Sequence, residues 1–293
     1  MKPLEYFLKP TQSRLFQILG KTYPSSIACT GRFILVQGEA PILLVAHLDT
    51  VHQEPVCTIC TSQGGNILMS PQGIGGDDRC GVYALVKTHE LANKKPWLLF
   101  TCDEEVGGKG ARTFADAFNM GKLPEELEKL KLIIEIDRKG SGDAVYYDCA
   151  NENFEAYITS KGFKTAFGTF SDISIIAPEL GVAAVNLSSG YYHAHTLHEY
   201  INRKHLEATI RKVSEIIAES VQKDFPRYEY IEGFCENYWV WDYGREIPHN
   251  LPDKYANTYD LLLDYFSQGE LESYRKTYGN AVLPELYASV YGR

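Results

Sequence analysis

The 293-residue sequence has no run of 18 consecutive apolar residues, so a membrane-spanning helix is not expected. Its first residues, MKPLEYFLKPTQSRLF, lack the unbroken apolar run of a secretory signal. Positive charge is in short supply: 29 Lys and Arg stand against 38 Asp and Glu, a net charge of −9. That balance disfavours non-specific nucleic-acid binding and attachment to anionic lipid. No internal repeat and no low-complexity tract is found. Paired cysteines are also missing. The seven present are odd in number and scattered, and a chain of this length builds a core without a disulfide framework. Reduced thiols and a cytoplasmic location are the expectation. Cys57 and Cys60 form a lone CxxC without a partner pair, read as two ordinary thiols ahead of a redox or zinc role. What remains, 44% apolar and 23% charged residues, is globular in composition and large enough for one big domain or two ordinary ones.

Hydrophobic patterning then organises the chain. Residues 1–25 read as a leading helix with Leu15, Phe16, Ile18 and Leu19 on its apolar side. Short apolar runs suit strands at 33–37, 42–46, 67–69, 97–101, 132–136, 144–147 and 183–187. Several are apolar on consecutive residues, as strands covered on both faces are. Helical patterns lie between them at 82–92, 111–119 and 171–177, before Pro178. A long amphipathic helix spans about 204–223 with Leu206, Ile210, Val213, Ile217 and Val221 at helical spacing. Alternating strands and helices predict a three-layer α/β/α sandwich with a mostly parallel mixed sheet over 1–224.

Composition shifts after Pro226. Residues 225–293 hold 11 of the 20 tyrosines, together with Trp239 and Trp241. This segment is read as a Tyr-rich, mainly helical C-terminal extension packed on the core, with a helical hairpin turning near Ser267-Gln268-Gly269. A substrate lid or a homo-oligomer contact is its second reading.

Chemistry-bearing residues collect where the apolar strands end, the usual place for sites in open α/β sheets. His47 and Asp49, in AHLDT, are two apart and so share a face. An Asp so placed can hold one imidazole nitrogen while the other meets a metal; a histidine satisfied by its neighbour is the bland alternative. Gly75-Gly76-Asp77-Asp78-Arg79-Cys80-Gly81 precedes a helix, so helix N-capping is the bland reading of its acids. Cys102-Asp103-Glu104-Glu105, followed by Val106-Gly107-Gly108-Lys109-Gly110-Ala111, closes a buried strand with three carboxylates, costly unless a cation holds them. Glu135-Ile136-Asp137-Arg138 closes another strand, and His193-Ala194-His195-Thr196-Leu197-His198-Glu199 follows the next. Oxygen and imidazole donors without cysteine suit zinc, manganese or cobalt. Two metals sharing one carboxylate need two histidines and three or more acids, and that inventory is present. His52, His89, His205 and His249 are expected at the surface, and Asp172 is read as a residue at a helix N-terminus, with a place bordering the substrate pocket as its second reading.

The ordered set AHLDT, GGDDRCG, DEEVGGKGA, EIDR and HTLHE, over roughly residues 30–220, resembles the co-catalytic zinc aminopeptidase and carboxypeptidase superfamily. Within it, the DDR and EEVGGKGA stretches look most like deblocking, glutamyl-type aminopeptidases and tripeptidases. The resemblance implies His47 as a ligand of one metal, oriented by Asp49, with Asp77 bridging. It implies Glu104 as general base, Glu105 as a ligand of the second metal and Asp137 as third ligand of the first. His195, with Glu199 four residues on, matches the closing ligand of the second metal; His193 is the rival. Only 30 residues separate His47 from Asp77, and 58 separate Asp137 from His195. Neither gap admits the lid or dimerisation domain that many relatives insert, so the outline is that of a compact, lidless aminopeptidase. No substrate-binding residue can be carried over.

The expectation is therefore a metal-dependent exopeptidase with two divalent ions, acting on peptides or small amides through a metal-activated water. An acidic site favours a cationic N-terminus, hence an aminopeptidase before a carboxypeptidase. The alternatives are a deacylase of N-acylated amino acids, an acyl-transfer enzyme of the glutaminyl-cyclase kind, or a non-catalytic metal or peptide binder. Glu104, which no binder needs, speaks against the last.

Overall fold

The computed structural model describes residues 2–168, 170–231, 251–263, 266 and 268–291. Trp239, Trp241, His249 and Ser267 lie outside these residues. The chain forms two compact units, Met1–Phe234 and Cys235–Arg293.

The first unit opens with α1 (Glu5–Leu8) and α2 (Gln12–Thr22), then β1 (Ile27–Cys29), β2 (Phe33–Val36), β3 (Ala40–His47), β4 (Cys60–Thr61) and β5 (Ile67–Met69). It continues through α3 (Gly76–Leu91), β6 (Pro96–Thr101), α4 (Lys109–Asn119), β7 (Leu132–Arg138), β8 (Asp143–Val145), α5 (Glu152–Ser160) and β9 (Lys164–Thr165). α6 (Ile173–Leu180), β10 (Ala184–Ser188), β11 (Tyr191–Tyr192), β12 (Tyr200–Asn202) and α7 (Arg203–Ser220) complete it. Eight strands form one mixed sheet in the order β1-β2-β6-β3-β7-β10-β8-β9. Its centre, β6-β3-β7-β10, is parallel. A second, four-stranded sheet runs β11-β12-β5-β4.

Side chains alternate across a strand, so each apolar strand feeds two cores. From β3, Ile42 and Leu44 join Leu19 of α2, Leu85 of α3, Phe154 of α5 and Ile210 of α7. Leu43 and Val45 point the other way, to Phe114 of α4 and Ile176 of α6. This is the sandwich the continuous apolar runs predict. Register aligns the strand ends: His47 lies opposite Thr101, and Val45 opposite Glu135. Among the described residues, no helix is long and apolar enough to cross a membrane.

Three departures have local causes. The expected leading helix is two helices, because Pro10 cannot donate into a helix and Thr11 caps a new one by accepting from Arg14 N–H at 3.3 Å. α5, which the sequence reading missed, buries only Phe154 and Ile158, too few for a periodic signal, and is capped by Asn151. α6 continues past Pro178 to Leu180 and ends at Gly181, whose positive φ closes it.

The first unit runs on past residue 225. Tyr228 is buried, its N–H donates to the Lys131 carbonyl at 2.8 Å, and its carbonyl accepts from Ala183 N–H at 2.9 Å. In the second unit α8 (Asp253–Leu262), α9 (Gln268–Tyr278) and α10 (Val282–Tyr291) gather Leu251, Tyr259, Leu262, Leu271 and Leu283. α8 and α9 are the two helices expected there, but Gln268 and Gly269, expected in the turn between them, are the first residues of α9, and α10 is a third helix beyond the predicted hairpin.

Two glycines make opposite predictions. A Cβ at Gly81, where α3 crosses β7, would lie 2.3 Å from the Ile136 carbonyl oxygen and 2.3 Å from Asp78 Oδ2. Gly81→Ala should therefore cost about 1–3 kcal/mol, the range for overpacking. At Gly20, inside α2, a Cβ meets nothing within 4 Å. Gly20→Ala should gain about 0.5–1 kcal/mol by raising helix propensity. Denaturant unfolding of both variants checks this; equal shifts would contradict it.

Candidate functional site

His47 is the last residue of β3 and is fully buried. Its Nε2 lies 3.1 Å from Asp77 Oδ1 and 3.6 Å from Asp137 Oδ1, while Nδ1 lies 3.3 Å from Asp49 Oδ1. The other oxygen of Asp77, Oδ2, lies 3.2 Å from Nε2 of His195, which is also 3.2 Å from Glu105 Oε2. One carboxylate thus faces two imidazoles that arrive from opposite ends of the domain sequence. Among the described residues, three sets of metal-capable atoms lie within 4.8 Å of one another: His47, Asp77 and Asp137; Asp77, Glu105 and His195; His47, Glu104 and Glu105.

Backbone hydrogen bonds aim these side chains. Asp49 accepts from the Glu104 and Glu105 N–H groups, each at 3.1 Å, one per oxygen. Asp77 and Asp78 have non-helical φ/ψ, so the turn presents Asp77 before the helix proper begins. Asp78 then does what the bland reading assigned to both: its Oδ1 accepts from Gly81 N–H at 2.9 Å. Asp137 N–H donates to Asn186 Oδ1 of β10 at 2.8 Å. His195 carries φ +64 in the loop after β11.

Several roles were hidden from sequence. Glu199 belongs to none of the three sets. It is fully buried, accepts from Gly75 and Asp77 N–H at 2.9 and 3.0 Å, and lies 3.0 Å from His52 Nε2. It therefore braces the turn that carries Asp77. His52, expected at the surface, is its partner. His89 packs edge-on to Tyr23, and His205 Nδ1 lies 2.6 Å from the Tyr192 hydroxyl, so neither is a free surface residue. His193, the rival to His195, is exposed and outside all three sets. Asp172 does begin α6, but it caps nothing. It is fully buried and bonds through Oδ2 to the Thr101 hydroxyl. Glu135, two residues before Asp137 on the same face of β7, is fully buried with neither oxygen hydrogen-bonded. Its place two residues before Asp137, on the same strand face, was the only sequence signal for it. Cys57 and Cys60 are exposed, free thiols. A cavity of about 210 Å³ adjoins Asp49 and is lined by Gln12, His52, Gly75 and Arg79. None of the six residues in those three sets lines it, so it lies beside the cluster rather than within it.

Crowded, buried carboxylates dominate the electrostatics. Burial, then Asp77, pushes the Asp137 carboxyl up to about 8, against the pull of His47. Burial raises Asp172 to about 6, although the Thr101 hydroxyl and His47 work the other way. Glu104 is held well above the usual carboxylate range by burial, with Asp137, Asp172 and Glu105 adding to it against His47. The imidazoles respond in kind. Burial would lower His195, yet Asp77 and Glu105 push it up to about 12. Asp137, Asp49 and Asp77 likewise overcome the burial of His47 and raise it well above its ordinary value. Without another cation, protons on the two histidines must balance the acids. The donor set fits divalent ions: two imidazoles, carboxylates on both sides, and a buried Glu105 Oε1 without a hydrogen bond.

The sequence matches no family model and no curated protein. Solved structures do share the fold. The aminopeptidase PepT from Bacillus cereus ATCC 10987 aligns with TM-score 0.55 at 14% identity, over 75% of this chain and 98% of that one. A tripeptidase from Staphylococcus aureus subsp. aureus Mu50 gives 0.53 at 15% identity, over 74% and 96%. The Pyrococcus horikoshii TET1 peptidase, which can assemble into a tetrahedron or a large octahedral shell, gives 0.53 at 15%, over 73% and 98%. The α/β fold implied by the motif resemblance is the fold observed.

The charge balance sets a pH dependence. A raised carboxyl stabilises the native state fully below its unfolded value, 3.8 for Asp, and that contribution is lost as pH rises through about 6 for Asp172 and about 8 for Asp137. His195 acts in the same direction, from its ordinary 6.5 up to about 12. The lowered Asp49 and Asp77 act oppositely, but only in acid below about 3.8. Chelator-treated protein should therefore lose thermal stability between about pH 5 and 8, and zinc should restore it while releasing protons. A metal-free melting temperature that is flat or rising over that range would contradict this balance.

Proposed function

We propose that the chain is a metal-dependent exopeptidase, an aminopeptidase that hydrolyses peptide bonds with two divalent cations, zinc foremost. The observation that carries the reading is Asp77, whose two oxygens face His47 at 3.1 Å and His195 at 3.2 Å. His47, Asp77 and Asp137 would hold one cation, and Asp77, Glu105 and His195 the other. When bound, the two cations supply Lewis acidity to a water and to the peptide carbonyl.

The chain's own groups do the rest. Glu104 is partly buried and raised in proton affinity, so its carboxylate suits a general base that takes the proton of the attacking water and gives it to the leaving amine. Asp49 fixes the backbone of Glu104 and Glu105 and stands against His47 Nδ1, so one carboxylate orients base and ligands together. Acids crowd the site, Glu135, Asp137 and Asp172 among them, and a substrate's free α-ammonium, which would stabilise their ionised forms, is favoured over a free carboxylate. This supports an aminopeptidase over a carboxypeptidase. The likeness to the TET1 peptidase supports a homo-oligomeric state as a further part of the proposal; a monomer by light scattering would remove that part alone.

Neighbouring carboxylates separate the roles. Glu104→Gln should keep metal content near that of the wild type while kcat on a free-N-terminus peptide falls about 10²–10⁴-fold, the usual worth of general acid–base catalysis. Glu105→Gln should lower metal content. Metal analysis beside turnover decides; loss of metal in Glu104→Gln with retention in Glu105→Gln would reverse the assignments. Turnover of N-acylated amino acids but not of peptides would move the reading to a deacylase.

A further inference from the structure

The two turns that bring acids to the site are tied to the same N-terminal segment. Arg79, which follows Asp77 and Asp78, is buried and donates from Nη1 to the carbonyls of Phe7 at 3.1 Å and Pro10 at 2.9 Å. Gln12, the first residue of α2, reaches the other turn. Its Nε2 donates to Asp103 Oδ1 at 2.9 Å, and its Oε1 accepts from Asp103 N–H at 3.1 Å. Arg32 Nη1 donates to the second Asp103 oxygen at 2.8 Å. Asp103 has φ +60, a left-handed conformation uncommon for a residue with a Cβ. The next two residues are Glu104 and Glu105, whose N–H groups meet Asp49. The first of the three acids closing β6 thus aims the other two.

The geometry points to Gln12 as a positioning residue: its side-chain amide locks the left-handed turn at Asp103 and so directs Glu104 and Glu105 into the site, in register with the Asp77 turn that Arg79 ties to the same segment. The chemistry requires an amide. It must donate to a carboxylate and accept from a backbone N–H at once, which neither glutamate nor alanine does. This inference rests on the reading of Glu105 as a metal ligand and Glu104 as base, but its first readout is metal affinity, which needs no substrate.

Zinc is titrated into apo protein against a chromophoric chelator, and kcat and KM are measured on the same preparations. Gln12→Ala should weaken one zinc site about 10–100-fold, the range for groups that orient ligands, and lower kcat with KM little changed. Gln12→Glu should do the same, because its carboxylate meets that of Asp103. Combining Gln12→Glu with Asp103→Asn reverses the donor and acceptor and leaves an oxygen for Arg32, so zinc affinity and kcat should recover. Phe16→Ala, on the same helix but packed on the core, controls for mere loss of stability. It should lower the melting temperature and leave zinc affinity and kcat unchanged. The proposal is overturned if Gln12→Ala and Gln12→Glu alter only thermal stability, or if the folded double variant recovers neither property. Wild-type protein that takes up no zinc overturns the metal reading beneath it, a result seen before any variant is compared.

Discussion

The structure turns on one carboxylate shared between two imidazoles. Asp77 can face His47 and His195 at once only if the turn before α3 is braced from several directions. Glu199 accepts two N–H groups of that turn, Arg79 anchors it to the N-terminal segment, and Gly81 lets α3 approach the end of β7. The parallel centre of the sheet supplies the rest, because its strands end side by side and deliver His47, Thr101 and Asp137 to one edge. Such strand ends are where open α/β sheets place their ligands.

Gathering acids there is unfavourable on its own. Glu104, Glu135, Asp137 and Asp172 are all raised in proton affinity by burial and by neighbouring acids. Few buried arrangements tolerate this without compensating positive charge. Protonated histidines provide it in the metal-free chain, and divalent ions would provide it more fully. The same crowding that demands a cation gives Glu104 an affinity for protons that a water-activating base needs. Stability and chemistry are thus two consequences of one charge arrangement.

Much of this was legible in the sequence because the informative residues are local to strand ends. Apolar runs placed β3, β6, β7 and β10, and the acids and histidines closing them marked the edge where they meet. The remainder depended on contacts across long separations. Glu199 and His52 are 147 residues apart, and Gln12 and Asp103 are 91 apart, so no spacing rule connects either pair. Asp172 looked like a helix cap because Phe170-Ser171-Asp172 has the composition of one; only the position of Thr101 shows that its carboxyl turns inward. Asp77 and Asp78 were indistinguishable by residue type, only the resemblance singled out Asp77, and the backbone gives the two different tasks. Short strands such as β4, β9 and β11 have two residues each, too few for any periodicity.

The central claim is that Asp77 stands between two cations. Crystals grown with zinc, with anomalous scattering recorded at the zinc edge, test it most directly. Two peaks should appear, one beside His47 and Asp137 and one beside Glu105 and His195, with an oxygen of Asp77 on each. A single peak, or zinc bound away from Asp77, would contradict the account.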